Sequence, residues 1–80
     1  MSVYVVLIED RHAEADVELW PTETSALSRM RELAQEYNSH PDDLEEPSLS
    51  DAAIRDGWVG YIQYSCEGDS IRVIRREMVA

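Results

Sequence analysis
An α+β fold in the order ββαββ is predicted: a four-stranded, mainly antiparallel sheet with one long helix packed on one face. Three observations carry it. Val3–Glu9 (VYVVLIE) is a continuous β-branched and aromatic run. Residues 26–37 repeat apolar side chains at three- and four-residue spacing. Two β-rich runs near the C-terminal end, Trp58–Cys66 and Ile71–Val79, flank a Gly-Asp pair. With 80 residues the chain makes one domain, residues 1–80, with a modest core and a stability of roughly 3–5 kcal/mol.

The first strand, Val3–Glu9, lacks polar alternation, which predicts a central strand buried on both faces, beside the last strand. Residues 10–16 (DRHAEAD) form a polar connection. Val17–Trp20 alternates weakly and stops at Pro21, which has no N–H for a ladder. Thr22 then reads as a helix N-cap, with Glu23 in the first turn against the helix dipole. Ala26, Leu27, Met30, Leu33, Ala34 and Tyr37 form one apolar stripe, and Asn38 reads as the stop. The segment Ser39–Gly57 is long and acidic for a connection, as functional or mobile connections are. It holds two capping-box patterns, Ser39 with Asp42 and Ser48 with Asp51. The second predicts a short helix over residues 49–56 closed by Gly57.

A two-residue hairpin turn around Gly68 predicts the pairing of the last two strands. Cys66 then faces Ile71, Tyr64 faces Val73, Ile62 faces Arg75 and Trp58 faces Val79, all on the helix side. Ser65 with Arg72, Gln63 with Ile74, Tyr61 with Arg76 and Val59 with Met78 share the other side. A sheet with one helix leaves that second side for something else. Two readings stand side by side. Either the 39–57 connection covers it through Leu44, Leu49 and Ile54, or it is a protein contact. Val59, Tyr61, Arg72, Ile74, Arg76 and Met78 are the contact candidates, because aromatic residues, Met and Arg are enriched at interfaces.

Charge narrows the partners. The net charge is −10, and residues 1–56 carry all of it, with fourteen acids against four arginines. Residues 57–80 balance three acids with three arginines. A body this acidic repels nucleic acid and anionic membranes, so direct nucleic-acid binding is not expected despite Tyr61 lying near Arg72 and Arg76. It suits basic surfaces. Asp42, Asp43, Glu45 and Glu46 are the acidic-surface candidates for a nucleic-acid mimic that blocks a basic DNA-binding or defence protein. A third reading takes Asp10, His12 and Asp16 as O and N ligands of a divalent metal; its plain alternative is a solvated polar turn.

No catalytic constellation is found. Cys66 has Glu67 and Asp69 nearby, which raise a thiol pKa and favour an inert thiol. His40 reads as a loop surface residue. The three glycines form no phosphate-cradling loop, and the acidic segment lacks the calcium-loop spacing. No cofactor and no enzymatic activity are expected. The single cysteine fits a reducing compartment, and the longest apolar run, Val3–Ile8, is too short to cross a bilayer. A cytoplasmic protein without a leader is expected, able to form a homodimer through an exposed sheet face.

The segments Tyr4–His12 (YVVLIEDRH) and Gly57–Val73 (GWVGYIQYSCEGDSIRV) resemble those of small uncharacterised proteins of bacteria and their phages. Those proteins share an opening strand ending in Glu-Asp-Arg-His and a hairpin with Glu-Gly-Asp-Ser. The resemblance covers about half the chain and carries over no activity. It implies a phage or mobile-element origin, a setting in which small acidic proteins act as accessory or inhibitory factors by binding a host protein. The favoured function is a non-catalytic, acidic protein-interaction module.

Overall fold
The computed structural model describes residues 1–9, 16–37, 46–64 and 69–78. Its elements run β1 (Ser2–Glu9), β2 (Asp16–Trp20), α1 (Glu23–Tyr37), α2 (Asp51–Arg55), β3 (Trp58–Gln63) and β4 (Ser70–Glu77). The sheet order is β2-β1-β4-β3, and every pairing is antiparallel. The fold is therefore α+β with ββαββ order, one 15-residue helix lying on the sheet. β1 is central and beside the last strand, as its apolar run predicts. Its two faces differ, however. Val6 and Ile8 are buried under α1, whereas Val5 and Leu7 on the opposite face are only partly covered. The expectation of burial on both faces is corrected: the continuous apolar run marks two apolar faces, and α1 covers one.

α1 begins where the cap predicts. The Ser25 N–H donates to Thr22 Oγ1 at 3.1 Å, and the Ala26 N–H to the Thr22 carbonyl at 3.1 Å. Ala26, Met30, Leu33 and Ala34 of its stripe are buried against Val6, Ile8, Ile62, Tyr64, Ile71 and Val73. Leu27 packs at the margin of that core. Tyr37 is half exposed, its ring tilted against Tyr64 with centroids 5.8 Å apart. The predicted stop at Asn38 and the Ser39–Asp42 box lie outside the described residues.

The short helix of the connection forms, but its cap is Ser50, whose side chain accepts from the Ala53 N–H at 3.1 Å, rather than Ser48. Ser50 wins because its backbone is extended where the helix starts, which is what an N-cap requires. Gly57 ends the turn with φ +94°, and its carbonyl accepts from the Arg75 N–H at 2.7 Å. Glu46 is bound to Arg31 of α1 at 2.8 Å, so this end of the connection is tied to the helix side of the sheet. Of the three residues expected to cover the second face, Ile54 is 57% exposed, Leu49 is half-buried, and Leu44 lies outside the described residues.

The β3–β4 register differs from the predicted one. Ile62 faces Ile71, Tyr61 faces Arg72, Gly60 faces Val73 and Trp58 faces Ile74. The Tyr64 N–H donates to the Asp69 carbonyl at 3.1 Å, so the turn is longer than two residues. Core packing selects this register. Gly60 sits beneath α1, where a Cβ would run into Leu27 Cδ2, and Ile62 meets Ile71 in the core. The sidedness of Ile62, Tyr64, Ile71 and Val73 is as predicted. That of Trp58 and Val59 is not, because the register shifts between Trp58 and Gly60. This β-bulge places Trp58 opposite Ile74 and leaves Val59 packed on the core cluster.

Candidate functional site
The face of the sheet away from α1 gathers side chains from all four strands. Antiparallel partners point to the same side, so the pairs settle its membership. Leu19, Val5, Ile74 and Trp58 form one row across the sheet. Val17, Leu7, Arg72 and Tyr61 form the next. Val3 and Arg76 lie beyond the first row. Leu19 is 66% exposed and Val17 51% exposed, a large apolar exposure for two adjacent side chains on an edge strand.

The opposite edge is aromatic. Trp58 and Tyr61 stack with centroids 5.8 Å apart at 24°, a contact that only the bulge permits, since residues three apart in a regular strand point to opposite sides. The Arg72 guanidinium lies 4.8 Å over the Trp58 ring and pairs with Glu9. Its Nε is buried without a hydrogen-bond partner. Gln63 donates to the Tyr61 hydroxyl at 3.2 Å. Arg76 reaches the Asp56 carbonyl at 2.7 Å.

Of the predicted contact residues, Tyr61, Arg72, Ile74 and Arg76 share this face. Val59 does not; it packs on the core for the reason given above. Met78 lies past the end of β4, 56% exposed, its N–H donating to the Met1 carbonyl at 2.7 Å. Val17, Leu19, Val5, Leu7 and Trp58 belong to the face and were not among the candidates. The unbroken apolar run of β1 was the available signal for its share. The Trp58 position depends on a bulge that local sequence does not mark.

The other candidates gather less. Asp10 and His12 lie outside the described residues, and Asp16 Oδ1 accepts from the Val17 N–H at 2.8 Å. No cluster of three metal-ligating side chains occurs among the described residues. Asp42, Asp43 and Glu45 lie outside the described residues, and Glu46 is engaged by Arg31, which raises the Arg31 pKa.

An open cleft of about 520 Å³ lies between β2 and α1, lined by Glu18, Trp20, Ser25, Ser28, Arg29 and Glu32. Its polar groups satisfy one another. Arg29 grips Glu18 through two hydrogen bonds of 2.8 and 3.0 Å and reaches Glu32 at 2.7 Å. The Trp20 indole N–H also donates to Glu18 at 3.1 Å. This is a strand-to-helix clamp. The Arg29 hydrogen bonds hold the Glu18 carboxyl below its ordinary value of 4.5. A carboxyl depressed by folding contributes stability above its unfolded pKa and loses it as pH falls through the folded one. Glu18→Gln is therefore expected to cost about 0.5–1 kcal/mol at pH 7. The difference from the parent should shrink as pH falls below the ordinary value of 4.5 and vanish only in acid below the depressed folded-state pKa. Chemical denaturation at both pH values measures it; a constant difference would show that the Glu18 charge is not responsible.

The architecture defines a class: a small acidic α+β domain whose antiparallel sheet has one helix-covered face and a second, apolar face on which no helix among the described residues packs. No family model, curated protein or solved structure matches the chain. No helix among the described residues is long and apolar enough to cross a membrane.

Proposed function
We propose that this protein is a non-catalytic protein-binding module whose contact surface is the open sheet face. The observation that carries this reading is the exposure of Leu19 and Val17 beside Val5 and Leu7, continuing through Ile74 to the Trp58–Tyr61–Arg72 stack. Single exposed aliphatics are ordinary, but a contiguous apolar face edged by aromatic rings and arginines has the composition of an interface core with its rim. The acidic remainder then acts at longer range, excluding anionic surfaces from the approach.

A photoreactive apolar residue introduced at Leu19 in cells tests this. Protein adducts are expected there and not from the same residue at Gln35, an exposed position on α1. Adducts at neither position, or at Gln35 alone, would overturn the reading.

A further inference from the structure
We propose that the occupant of the open face is the same face of a second copy, the two sheets packing about a two-fold axis that runs along the β1–β4 seam. This rests on the reading of that face as a contact surface. Four strands about 4.8 Å apart and five to eight residues long present enough face to bury on the order of 1,000 Å² between two copies. That is where specific interfaces begin.

The layout of the face selects the partner. With the order β2-β1-β4-β3, an axis along the seam lays β2 of one copy over β3 of the other, and β1 over β4. The rows then match at equal height. Leu19 meets the ring of Trp58 in the second copy, and Val17 meets Tyr61. The protruding aliphatic edge thus meets the flat aromatic edge, twice, by symmetry. Arg72 falls at the height of Leu7 and Arg76 at the height of Val3, so the arginine stems lie over the β1 valines and leucine of the other copy. An axis across the strands would instead lay β4 on β4 and bring the arginine rows together. That like-charge approach, only partly offset by the Glu9 paired with Arg72, makes it the less favourable packing.

The strand carboxylate on this face is Glu9 of β1, paired with Arg72, whereas Asp16, Glu18 and Glu77 fall on the other parity of their strands. Most of the acidic charge is carried elsewhere on each copy. Two bodies of net charge −10 still repel at a distance, so added salt strengthens self-association. A basic partner held by the acidic surface would show the opposite dependence.

Sedimentation equilibrium of the full chain over a range of concentrations, at about 0.05 and 0.5 M salt, tests the proposal. A dimer that tightens with salt is expected. Val17→Glu and Leu19→Glu, at exposed positions, and Tyr61→Arg should each weaken it at least about 30-fold with the circular dichroism spectrum unchanged. Mixing Val17→Glu with Tyr61→Arg should restore a dimer. One of the two symmetric contacts then pairs the introduced carboxylate with the introduced guanidinium, and the other is native. A monomer at all concentrations, a dimer indifferent to both β2 variants, or variants that stay monomeric on mixing would overturn it. Adducts from Leu19 to a different protein, with a monomer in sedimentation, would leave the contact face standing and remove the second copy from it.

Discussion

Met30→Ala is expected to lower the free energy of unfolding by about 2–5 kcal/mol, the usual cost of truncating a buried Met or Leu. Met30 is fully buried at the middle of α1, flanked on its stripe by Ala26, Leu33 and Ala34. Its Sδ and Cε lie over Gly60 of β3, filling the space that glycine leaves. The two alanines beside it cannot expand into the vacancy, so the cavity stays open. Against a total of roughly 3–5 kcal/mol for a domain of this size, the loss leaves little folded protein. Met30→Leu, which nearly conserves volume, should cost less than about 1.5 kcal/mol. Urea unfolding measures both, through a fall in midpoint at constant slope. A Met30→Ala variant within 1 kcal/mol of the parent (about the error of such comparisons) would mean that α1 does not seat on Gly60.

Gly57→Ala is the second large effect, and its origin is backbone rather than core. Gly57 has φ +94°, where an L-residue is strained by about 1–2 kcal/mol. A Cβ there would also stand 2.8 Å from the Arg75 carbonyl oxygen, a backbone atom that cannot swing aside. Moving Gly57 away would break the 2.7 Å hydrogen bond from Arg75 that starts the β3–β4 ladder. A total loss of at least about 2 kcal/mol follows. Gly60→Ala is the instructive control. Its nearest obstacle is Leu27 Cδ2, the free end of a flexible side chain at the core margin, so a smaller loss is expected. Equal denaturation midpoints for the two variants would refute the assignment of strain to Gly57.

Much of the fold was legible because its local signals agree with one another. Thr22, Glu23 and the 26–37 stripe all specify one helix in one orientation, and α1 follows them. The central place of β1 followed from its lack of polar residues. The same composition misled on coverage, since an apolar side chain reads alike whether a helix covers it or a second molecule does. Trp58 and Val59 were assigned to the wrong faces because strict alternation from the turn admits no bulge. The bulge lies beside Gly60, where Leu27 and Met30 approach the strand, a tertiary contact that no local pattern marks. The Arg29 clamp joins Glu18 and Glu32 across strand and helix, and no local spacing announces a pair eleven residues apart. The candidate site was half legible for the same reason: its arginines and Tyr61 stand out in a strand pattern, while its most exposed members, Val17 and Leu19, lie in a weakly alternating segment.

The pairing of β1 with β4 has a kinetic consequence. Ser2 and Glu77 are partners across 75 residues of chain. β1, β2 and α1 are made before β4, the strand that closes the free edge of β1 and brings Ile71 and Val73 beneath α1. Until β4 arrives, a growing chain carries a long apolar strand with one unpaired edge, the kind of template that recruits other strands. Folding should therefore wait for residues 70–77, proceed in milliseconds to seconds as high-separation sheets do, and depend on protection of the nascent chain in the interval.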